Sequence, residues 1–404
     1  MDKTVLDAEK NEASQATAWS VFSELVKLRL TTMVLITTLV GFYAGLDAES
    51  GGLAQNLAKL GLTLLGTGLL AAGASILNQY LEREHDAKME RTATRPLPSG
   101  QIGAEASLLL DGAVSVGGLL ALAAWVNLLV ALLGAVTLVT YLFIYTPLKR
   151  KSEWNTIIGA IPGALPPLMG WAAVRGEVDP MGWTLFAILF FWQMPHFMAI
   201  AWMYREDYGK AGFVMMPSVD AGGARTGRQA ISHTVFLVIA SLMPFTMRLT
   251  GPVYVFGAVL LGLLFLVAAV RFSRDLSMVN ARRLFFASII YLPLLLGLMV
   301  VVLGATRQYA PVLHAHVAAS ALGAALLLAH VWRTTTGDAG RVWAVRAGLI
   351  AVVAAGVTAP MLRAARASEW RQAYRIENPT RPPASMADEG AGADRKSTRL
   401  NSSH

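Results

Sequence analysis

Long apolar runs recur along most of this 404-residue chain, and they decide what it can fold into. Each run is about 20 residues long, which is enough for a helix to cross the hydrocarbon core of a bilayer. The apolar residues are continuous rather than alternating, so helices are favoured over the strands of a membrane barrel. Only 15% of the residues are charged, against about a quarter in a soluble domain. The sequence therefore predicts an all-α, polytopic helical membrane protein.

Nine apolar segments are predicted to span the membrane, and two more candidates follow them. The nine lie near 27–46, 57–79, 105–125, 127–146, 154–174, 181–203, 231–249, 252–271 and 284–304, and the two candidates near 312–332 and 342–362. Basic residues cluster in alternate connections, at 80–104, 147–153, 204–230 and 272–283. The positive-inside bias then places the N-terminus and these connections in the cytoplasm. This distribution explains the basic excess without nucleic acid as a partner.

The chain is predicted to have four parts. These are a cytoplasmic N-terminal segment (1–26), a nine-helix domain around a central cavity (27–304), two additional apolar segments without an assigned role (305–365) and a disordered tail (366–404). The final RKSTRLNSSH resembles translated adapter sequence and is excluded from functional reasoning. No cleavable signal peptide is expected, because the polar N-terminal stretch lacks an apolar core. Zero cysteines exclude disulfides, thiolate metal ligands and a cysteine nucleophile.

The stretch NQYLEREHDAKMERTATRPLPSG, at 78–100, concentrates charge directly after an apolar run. Asn78, Glu82 and Asp86 are spaced i, i+4, i+8, so on a helix they share one face within roughly 12 Å. An amide and two carboxylates supply hard oxygen ligands, which suit Mg²⁺. A solvated loop with ordinary i,i+4 salt bridges explains the same spacing.

Basic side chains that suit phosphate oxygens lie nearby in the sequence. Arg91 and Arg95, with Thr92 between them, are phosphate donors, and the planar fork of Arg matches phosphate geometry well. Lys149 and Arg150 lie in the connection between the fourth and fifth spans. These two are interpreted either as charges that set the topology or as diphosphate contacts.

A weak internal repeat places a second polar connection about 120 residues after the first. NQYLEREHDAK and MYREDYGKAG each carry acidic groups beside Arg and Lys at the mouth of a helix. Two four-helix halves facing each other would bring these connections together over a central cavity. Repeats of this kind often hold a site at their interface.

His196 lies well inside the sixth apolar segment, next to Trp192 and Gln193. A lone histidine in a membrane span is usually a packed core residue, but ionisable groups buried in membranes are also functional candidates. On one continuous helix, His196 and Asp207 would be about three turns apart on a shared face, with His196 roughly 16 Å deeper.

These motifs resemble those of the UbiA-type intramembrane prenyltransferases. The first polar stretch is similar to the NxxxDxxxD motif of that superfamily, with Glu82 where the family usually has Asp. Four segments in the same order are similar to the branch that acts on haem, and the resemblance covers about residues 20–304. Besides 78–100, they are YTPLKRKSEWNTIIGAIPGALPPLMGW (145–171), FFWQMPHFMAIAWMYREDYGKAGFVMMP (190–217) and ARRLFFASIIYLPLLL (281–296).

The resemblance implies an enzyme that transfers a farnesyl group from farnesyl diphosphate to a vinyl group of haem B. The product would be haem O, which is used in terminal oxidase biogenesis. Mg²⁺ is the implied cofactor, and haem B is a substrate. The implied location is the bacterial inner membrane, as a multi-pass protein with its active-site connections in the cytoplasm. The implied protein partners are haem A synthase and terminal oxidase assembly factors.

The resemblance also implies residue roles. The catalytic and metal-binding set is Asn78, Glu82, Asp86 and Asp207. The diphosphate-binding set is Arg91, Thr92, Arg95, Lys149, Arg150 and Lys210. The haem-binding set is His196, Gln193 and Trp192.

Two other functions stay open at this point. A prenyltransferase with another acceptor, such as a quinone precursor, would share the first motif. The DxxxD pair typical of that branch is absent, however, because Ala211 stands four residues after Asp207. An ion-coupled transporter would also combine repeats with intramembrane polar residues, but it is expected to place carboxylates near the bilayer midplane.

Overall fold

The apolar runs form a series of long helices. The computed structural model describes residues 18–46 and 53–306, all within one unit, Met1–His316. The helices are α1 (Ala18–Leu25), α2 (Leu28–Gly45), α3 (Leu53–Asp86), α4 (Ala104–Trp125), α5 (Leu128–Val139), α6 (Asn155–Arg175), α7 (Pro180–Met203), α8 (Arg205–Lys210), α9 (Met216–Val219), α10 (Ala224–Thr246), α11 (Pro252–Arg274) and α12 (Met278–Thr306). A π-helical segment, Thr140–Tyr145, and the short turn Thr146–Leu148 continue α5.

Among the described residues, nine helices are long and apolar enough to cross a membrane. They correspond one to one with the nine predicted spans, so the prediction of an all-α, polytopic protein is confirmed. The second span runs on to Asp86 instead of ending near residue 79. The segment after residue 79 holds neither Pro nor Gly, so nothing stops the helix where its apolar composition ends.

Several predicted segments lie outside the described residues. They are most of the N-terminal segment, the two candidate spans near 312–332 and 342–362, and the tail from residue 366. Their boundaries stay predictions.

The long helices pack in two groups that share neighbours. α3 packs on α4 and α2, while α7 packs on α10 and α12, with α11 beside both α10 and α12. One apolar core lies in each group, and α6 contributes buried residues to both. α12 also contacts α2, so the two groups meet on a second side. The bundle therefore brings the two halves of the chain together around α6, α2 and α12.

The contact between α2 and α6 depends on glycine. A Cβ atom on Gly41 would fall on the carbonyl oxygen of Pro167, and one on Gly170 would fall on that of Thr38. The two backbones therefore touch directly. Close backbone approach of this kind is typical of helix pairs in membranes, where small residues form the interface.

We expect Gly41→Ala to lower the stability of the protein in detergent, because the added methyl group meets rigid backbone and the helices have to separate. Overpacking of a tight interface costs about 1–3 kcal/mol or more. Gly61→Ala is the matched control, since a Cβ on Gly61 meets nothing within 4 Å. Thermal unfolding of the two purified variants measures the difference, and equal unfolding temperatures would contradict the proposed backbone contact.

Candidate active site

A polar cleft opens at the C-terminal end of α3. Its volume is about 430 Å³, counted with the space that opens to solvent. It is lined by the acidic and amide side chains of Asn78, Glu82 and Asp86, the basic side chains of Lys27, Arg91, Arg95 and Lys149, and the aromatic and apolar side chains of Met89, Tyr141, Tyr145, Tyr208, Phe213 and Met215. With four basic and two acidic side chains, the cleft carries a net positive charge and favours an anionic ligand.

Three acceptor side chains predicted from the sequence lie on successive turns of α3. Asn78, Glu82 and Asp86 are all buried, with at most 5% of their surface exposed. Each meets a basic side chain from a different segment. Lys27 Nζ donates to Asn78 Oδ1 at 2.6 Å, Lys149 Nζ lies 2.9 Å from Glu82 Oε1, and Arg95 Nη1 lies 2.7 Å from Asp86 Oδ2. The two buried carboxylates are thus neutralised by cations from outside α3, and the amide oxygen of Asn78 accepts a hydrogen bond from a third basic side chain.

Lys27 reaches the cleft because of a corner between α1 and α2. Its backbone is left-handed, with φ 46° and ψ 56°, a conformation that costs a non-glycine residue roughly 1–2 kcal/mol. Gln79 holds the corner in place, since its Nε2 donates to the carbonyls of Glu24 (3.0 Å) and Leu25 (2.8 Å). Strain of this kind is often found at functional sites. Lys27 was not assigned a role from the sequence, which gives no signal for this backbone turn.

The two lysines of the cleft differ in their proton affinity. Loss of hydration, and then the positive charges of Arg95 and Lys149, lower the pKa of Lys27 to about 7. Burial also opposes the charge of Lys149, but the Glu82 carboxylate overcomes it and raises the pKa of Lys149 above its usual value. Lys149 is therefore a permanent cation. The charge of Lys27 would be stabilised by an anion in the cleft.

Two tyrosines form an aromatic wall beside these charges. The π-helical segment presents Tyr141 and Tyr145 with their ring centroids 5.6 Å apart, and Lys149 Nζ lies 4.7 Å from the Tyr145 centroid. Asn78 Nδ2 donates at 3.3 Å to Thr146, which ties this wall to α3. π-helical turns occur often at functional sites. The i, i+4, i+8 spacing of Tyr141, Tyr145 and Lys149 is a signal that the sequence interpretation missed.

The two polar connections meet at the cleft, in agreement with the weak internal repeat. His85 Nδ1 donates to the carbonyl of Ala211 at 3.1 Å, because a carbonyl oxygen only accepts. The backbone N–H of Val214 donates to the carbonyl of Lys149 at 2.7 Å. The second half of the chain therefore covers one side of the cleft, with Tyr208 among its contributions.

The prediction that one continuous helix carries both His196 and Asp207 is wrong. α7 ends at Met203, and Tyr204, with φ −113° and ψ 21°, separates it from the short helix α8. Asp207 and Lys210 lie on α8 and are not among the cleft-lining residues. The continuous helix on which His196 was placed three turns below Asp207 therefore does not exist, because the polar connection starts a new helix.

Two further predicted residues lie at the edge of the site. Thr92 is buried, and its hydroxyl donates to the carbonyl of Asp86 at 2.8 Å, so it closes the turn after α3. Arg150 is exposed, and its Nη1 lies 3.3 Å from Nε2 of His85. Neither side chain lines the cleft.

The three residues assigned to haem lie within α7, away from this cleft. Gln193 faces α6, where its Nε2 donates to the carbonyl of Ala160 at 3.3 Å. Trp192 and His196 face α12, and each forms a hydrogen bond to Ser288 at 2.7 Å. Gln193 and His196 therefore point toward different helices.

The side chains of Asn78, Glu82 and Asp86 suit a metal ion only if a bound ligand supplies further oxygen atoms. Within 18–46 and 53–306 there is no group of three or more His, Cys, Asp or Glu side chains that could hold an ion. Glu82 and Asp86 with the amide of Asn78 supply two carboxylates and one neutral oxygen. Mg²⁺ is typically bound by one or two carboxylates together with waters and substrate phosphates. The donor set fits that mode, and it does not form a cage built by protein alone.

Solved structures share the fold of this protein. A structure described as digeranylgeranylglyceryl phosphate synthase superposes with a TM-score of 0.59 at 17% identity, over 70% of this chain and 98% of that one. A UbiA homolog from Archaeoglobus fulgidus, bound to DMAPP and Mg²⁺, superposes with a TM-score of 0.50 at 18% identity, over 69% of this chain and 98% of that one. Both superpositions show a shared helical fold.

The sequence comparisons are more specific. Residues 34–292 match the UbiA prenyltransferase family. The protoheme IX farnesyltransferase of Solibacter usitatus is 47% identical over 69% of this chain and 97% of its own length. That of Opitutus terrae is 43% identical over 70% of this chain and 94% of its own length. The chain belongs to the UbiA prenyltransferase family, and it is a multi-pass membrane enzyme.

We expect Lys149→Met to destabilise the protein, because it leaves the Glu82 carboxylate buried without its partner. Removing one member of a buried ion pair costs about 3–5 kcal/mol. Lys151→Met, which changes an exposed lysine of the same connection, is the control. Thermal unfolding between pH 6 and 9 measures both effects. Since the raised pKa keeps Lys149 charged in this range, its contribution should not vary there, and a steep pH dependence of the difference would contradict the pairing.

Proposed function

We propose that this chain transfers a farnesyl group from farnesyl diphosphate to a vinyl group of haem B, giving haem O. The observation that carries the proposal is the 47% identity to a protoheme IX farnesyltransferase across 97% of that protein's length. The cleft supports it independently, since its net positive charge and its paired acceptors suit a diphosphate.

The basic side chains of the cleft bind and orient the diphosphate. When the allylic C–O bond breaks, its electron pair passes to the bridging oxygen, and the diphosphate leaves. Arg95 and Lys149, already held by Asp86 and Glu82, are proposed to stabilise that negative charge. Preorganised cations stabilise such charge without having to reorganise during the reaction. The positive charges of Lys27 and Arg91 add to this stabilisation of the leaving diphosphate.

A magnesium ion would be held by Asn78, Glu82 and Asp86 together with the diphosphate, and it would supply further neutralisation of the leaving group. The Archaeoglobus fulgidus homolog of the same fold binds DMAPP and Mg²⁺ together, which supports this pairing of metal and diphosphate. Asp207 is proposed to bind the metal and Lys210 the diphosphate. Neither lines the cleft in this structure, so both roles require a movement of α8.

The apolar surroundings protect the farnesyl cation. The aromatic faces of Tyr141 and Tyr145 lie beside the charged groups, where they attract a cation through their π electrons. They also keep water away from the reacting carbon. The terminal vinyl carbon of haem then attacks the cation, and a C–C bond forms. Water adds to the carbon next to the porphyrin and loses a proton, which yields a hydroxyethylfarnesyl side chain.

The acceptor is proposed to be haem B, bound near His196, Gln193 and Trp192 on α7. The DYxxAG segment, Asp207 to Gly212, supports this acceptor because it lacks the second carboxylate of the DxxxD pair. The basic connections support a cytoplasmic mouth through the positive-inside bias. We place the protein in the bacterial inner membrane, with haem A synthase and terminal oxidase assembly factors as candidate partners.

Asp111, a carboxyl group inside a membrane span, does not favour a transporter function. Asp111 is buried within the α4 span, where it accepts a hydrogen bond from Ser115 at 2.9 Å. It packs against Gly73 of α3 and is not among the residues that line the cleft. Asp111 therefore lies at the contact between α3 and α4, and it is paired with a neighbour on its own helix.

Expression of this chain in a host without its own haem O synthase tests the function. We expect haem O in extracted membranes, and labelled farnesyl diphosphate should transfer to haem B rather than to a quinone precursor. Asp86→Asn should lower turnover by roughly two orders of magnitude, a typical loss for one preorganised electrostatic group. Glu84→Gln, on the exposed face of the same helix turn, should stay active. Transfer to a quinone precursor alone would overturn the proposed acceptor.

Arg91→Ala and Arg95→Ala should separate diphosphate binding from haem binding. Each should weaken farnesyl diphosphate binding by about 1.5–3 kcal/mol, the value of a charge-assisted contact, and leave the haem affinity of the folded protein nearly unchanged. Arg95→Ala also leaves the Asp86 carboxylate buried without its partner, so the thermal unfolding of this variant is measured as well. Arg83→Ala is the control, because Arg83 stacks on Tyr80 outside the cleft. Binding of both substrates to purified protein provides the measurement. If haem affinity fell instead, these arginines would pair with the propionates.

A further inference from the structure

The imidazole of His196 is held between two aromatic rings. The ring of Trp192 stacks on it with a centroid distance of 5.1 Å and an angle of 19°, and the ring of Phe285 with 5.0 Å and 24°. Trp192 lies one turn before His196 on α7, while Phe285 belongs to α12. The plane of the imidazole is therefore fixed from both sides, and only its edges are available for polar contacts.

One edge of the imidazole meets Ser288, and the hydrogen bonds there determine the tautomer. Ser288 Oγ lies 2.5 Å from the carbonyl oxygen of Phe285 and 2.7 Å from His196 Nδ1. A hydroxyl has one proton, and the carbonyl can only accept. Two oxygens at 2.5 Å need that proton between them, so Ser288 donates to Phe285. His196 Nδ1 must then be the donor to Ser288.

The other ring nitrogen is consequently an acceptor. In the neutral imidazole with a proton on Nδ1, the lone pair is on Nε2. Nε2 has no hydrogen-bond partner among residues 18–46 and 53–306. A histidine that only packs in the core would also have a fixed plane and one hydrogen-bonded nitrogen, but an unpartnered second nitrogen would bring it no benefit. Histidines that ligate metals, in contrast, almost always donate their other N–H to a protein oxygen.

The same turn of α12 also fixes the neighbour of His196. Trp192 Nε1 donates to the backbone carbonyl of Ser288 at 2.7 Å. Ser288 itself is fully buried. One residue of α12 thus orients two side chains of α7, and both are among those assigned to haem.

We infer that Ser288 is a positioning residue, which holds His196 in the Nδ1–H tautomer and so presents the Nε2 lone pair to the iron of the bound porphyrin. This inference rests on the proposed function, because it takes haem B as the substrate. It also chooses between two roles for His196, since a tautomer set by an outer hydrogen bond is typical of an iron ligand rather than of a wall of the vinyl pocket.

Titration of the purified full-length protein with ferric haem B, followed by absorbance and electron paramagnetic resonance, tests the inference. His196→Phe, which roughly keeps the packing volume, should lose the signature of a histidine-bound iron. Ser288→Ala should remain folded and weaken haem affinity roughly 10-fold to 100-fold, the range for loss of an outer partner of a metal-binding histidine. Ser288→Thr, which keeps the hydroxyl, should retain the parental spectrum and guards against a simple folding defect.

Ser241→Ala is the matched control. Ser241 is also fully buried in a membrane span, and its hydroxyl donates to its own helix at 2.8 Å and contacts Tyr291 at 2.8 Å. This variant should bind haem like the parent. Parental haem affinity and spectrum in Ser288→Ala, with both lost in His196→Phe, would overturn the inference and leave the function intact. A parental spectrum in His196→Phe would overturn both the inference about Ser288 and the role of His196 as an iron ligand. Haem O formation by the parent protein would still support the proposed function.

Discussion

Neutralisation of buried acceptors by cations from other segments is the interaction on which this site depends. Glu82 and Asp86 are carried into a buried position by α3, where an unpaired carboxylate would be very costly. Lys149 and Arg95 remove that cost, and Lys27 donates a hydrogen bond to the neutral amide oxygen of Asn78. Buried ion pairs add little net stability compared with apolar packing. Their concentration in one cleft is therefore best explained by ligand binding.

The helix packing serves to bring these separate segments to one place. The glycine contact between α2 and α6 lets the backbones touch, and the corner at Lys27 then points a side chain from the start of α2 toward α3. The connection after α5 brings Lys149, and the second half of the chain closes over it through the Val214–Lys149 hydrogen bond. No one of these segments forms the cleft alone, so the site is a property of the assembled bundle.

The sequence predicted those features that depend on local periodicity. Apolar runs located the nine spans, and the i, i+4, i+8 spacing placed Asn78, Glu82 and Asp86 on one face of α3. What could not be predicted depends on tertiary geometry. The left-handed turn at Lys27 and the end of α7 before Asp207 leave no periodic signal. The π-helical form of the segment that presents Tyr141 leaves none either, although the spacing of Tyr141, Tyr145 and Lys149 does. Each of them changes which side chains reach the cleft.

The charge balance of the cleft also explains why its acceptor set is so small. Four basic side chains and two acidic ones leave a net positive charge, which opposes the entry of a divalent cation on its own. A diphosphate reverses that balance, because its oxygens attract both the arginines and the metal. Metal and diphosphate are therefore complementary to the cleft only together. A third carboxylate in the cleft would lower its net positive charge and so weaken its attraction for an anion.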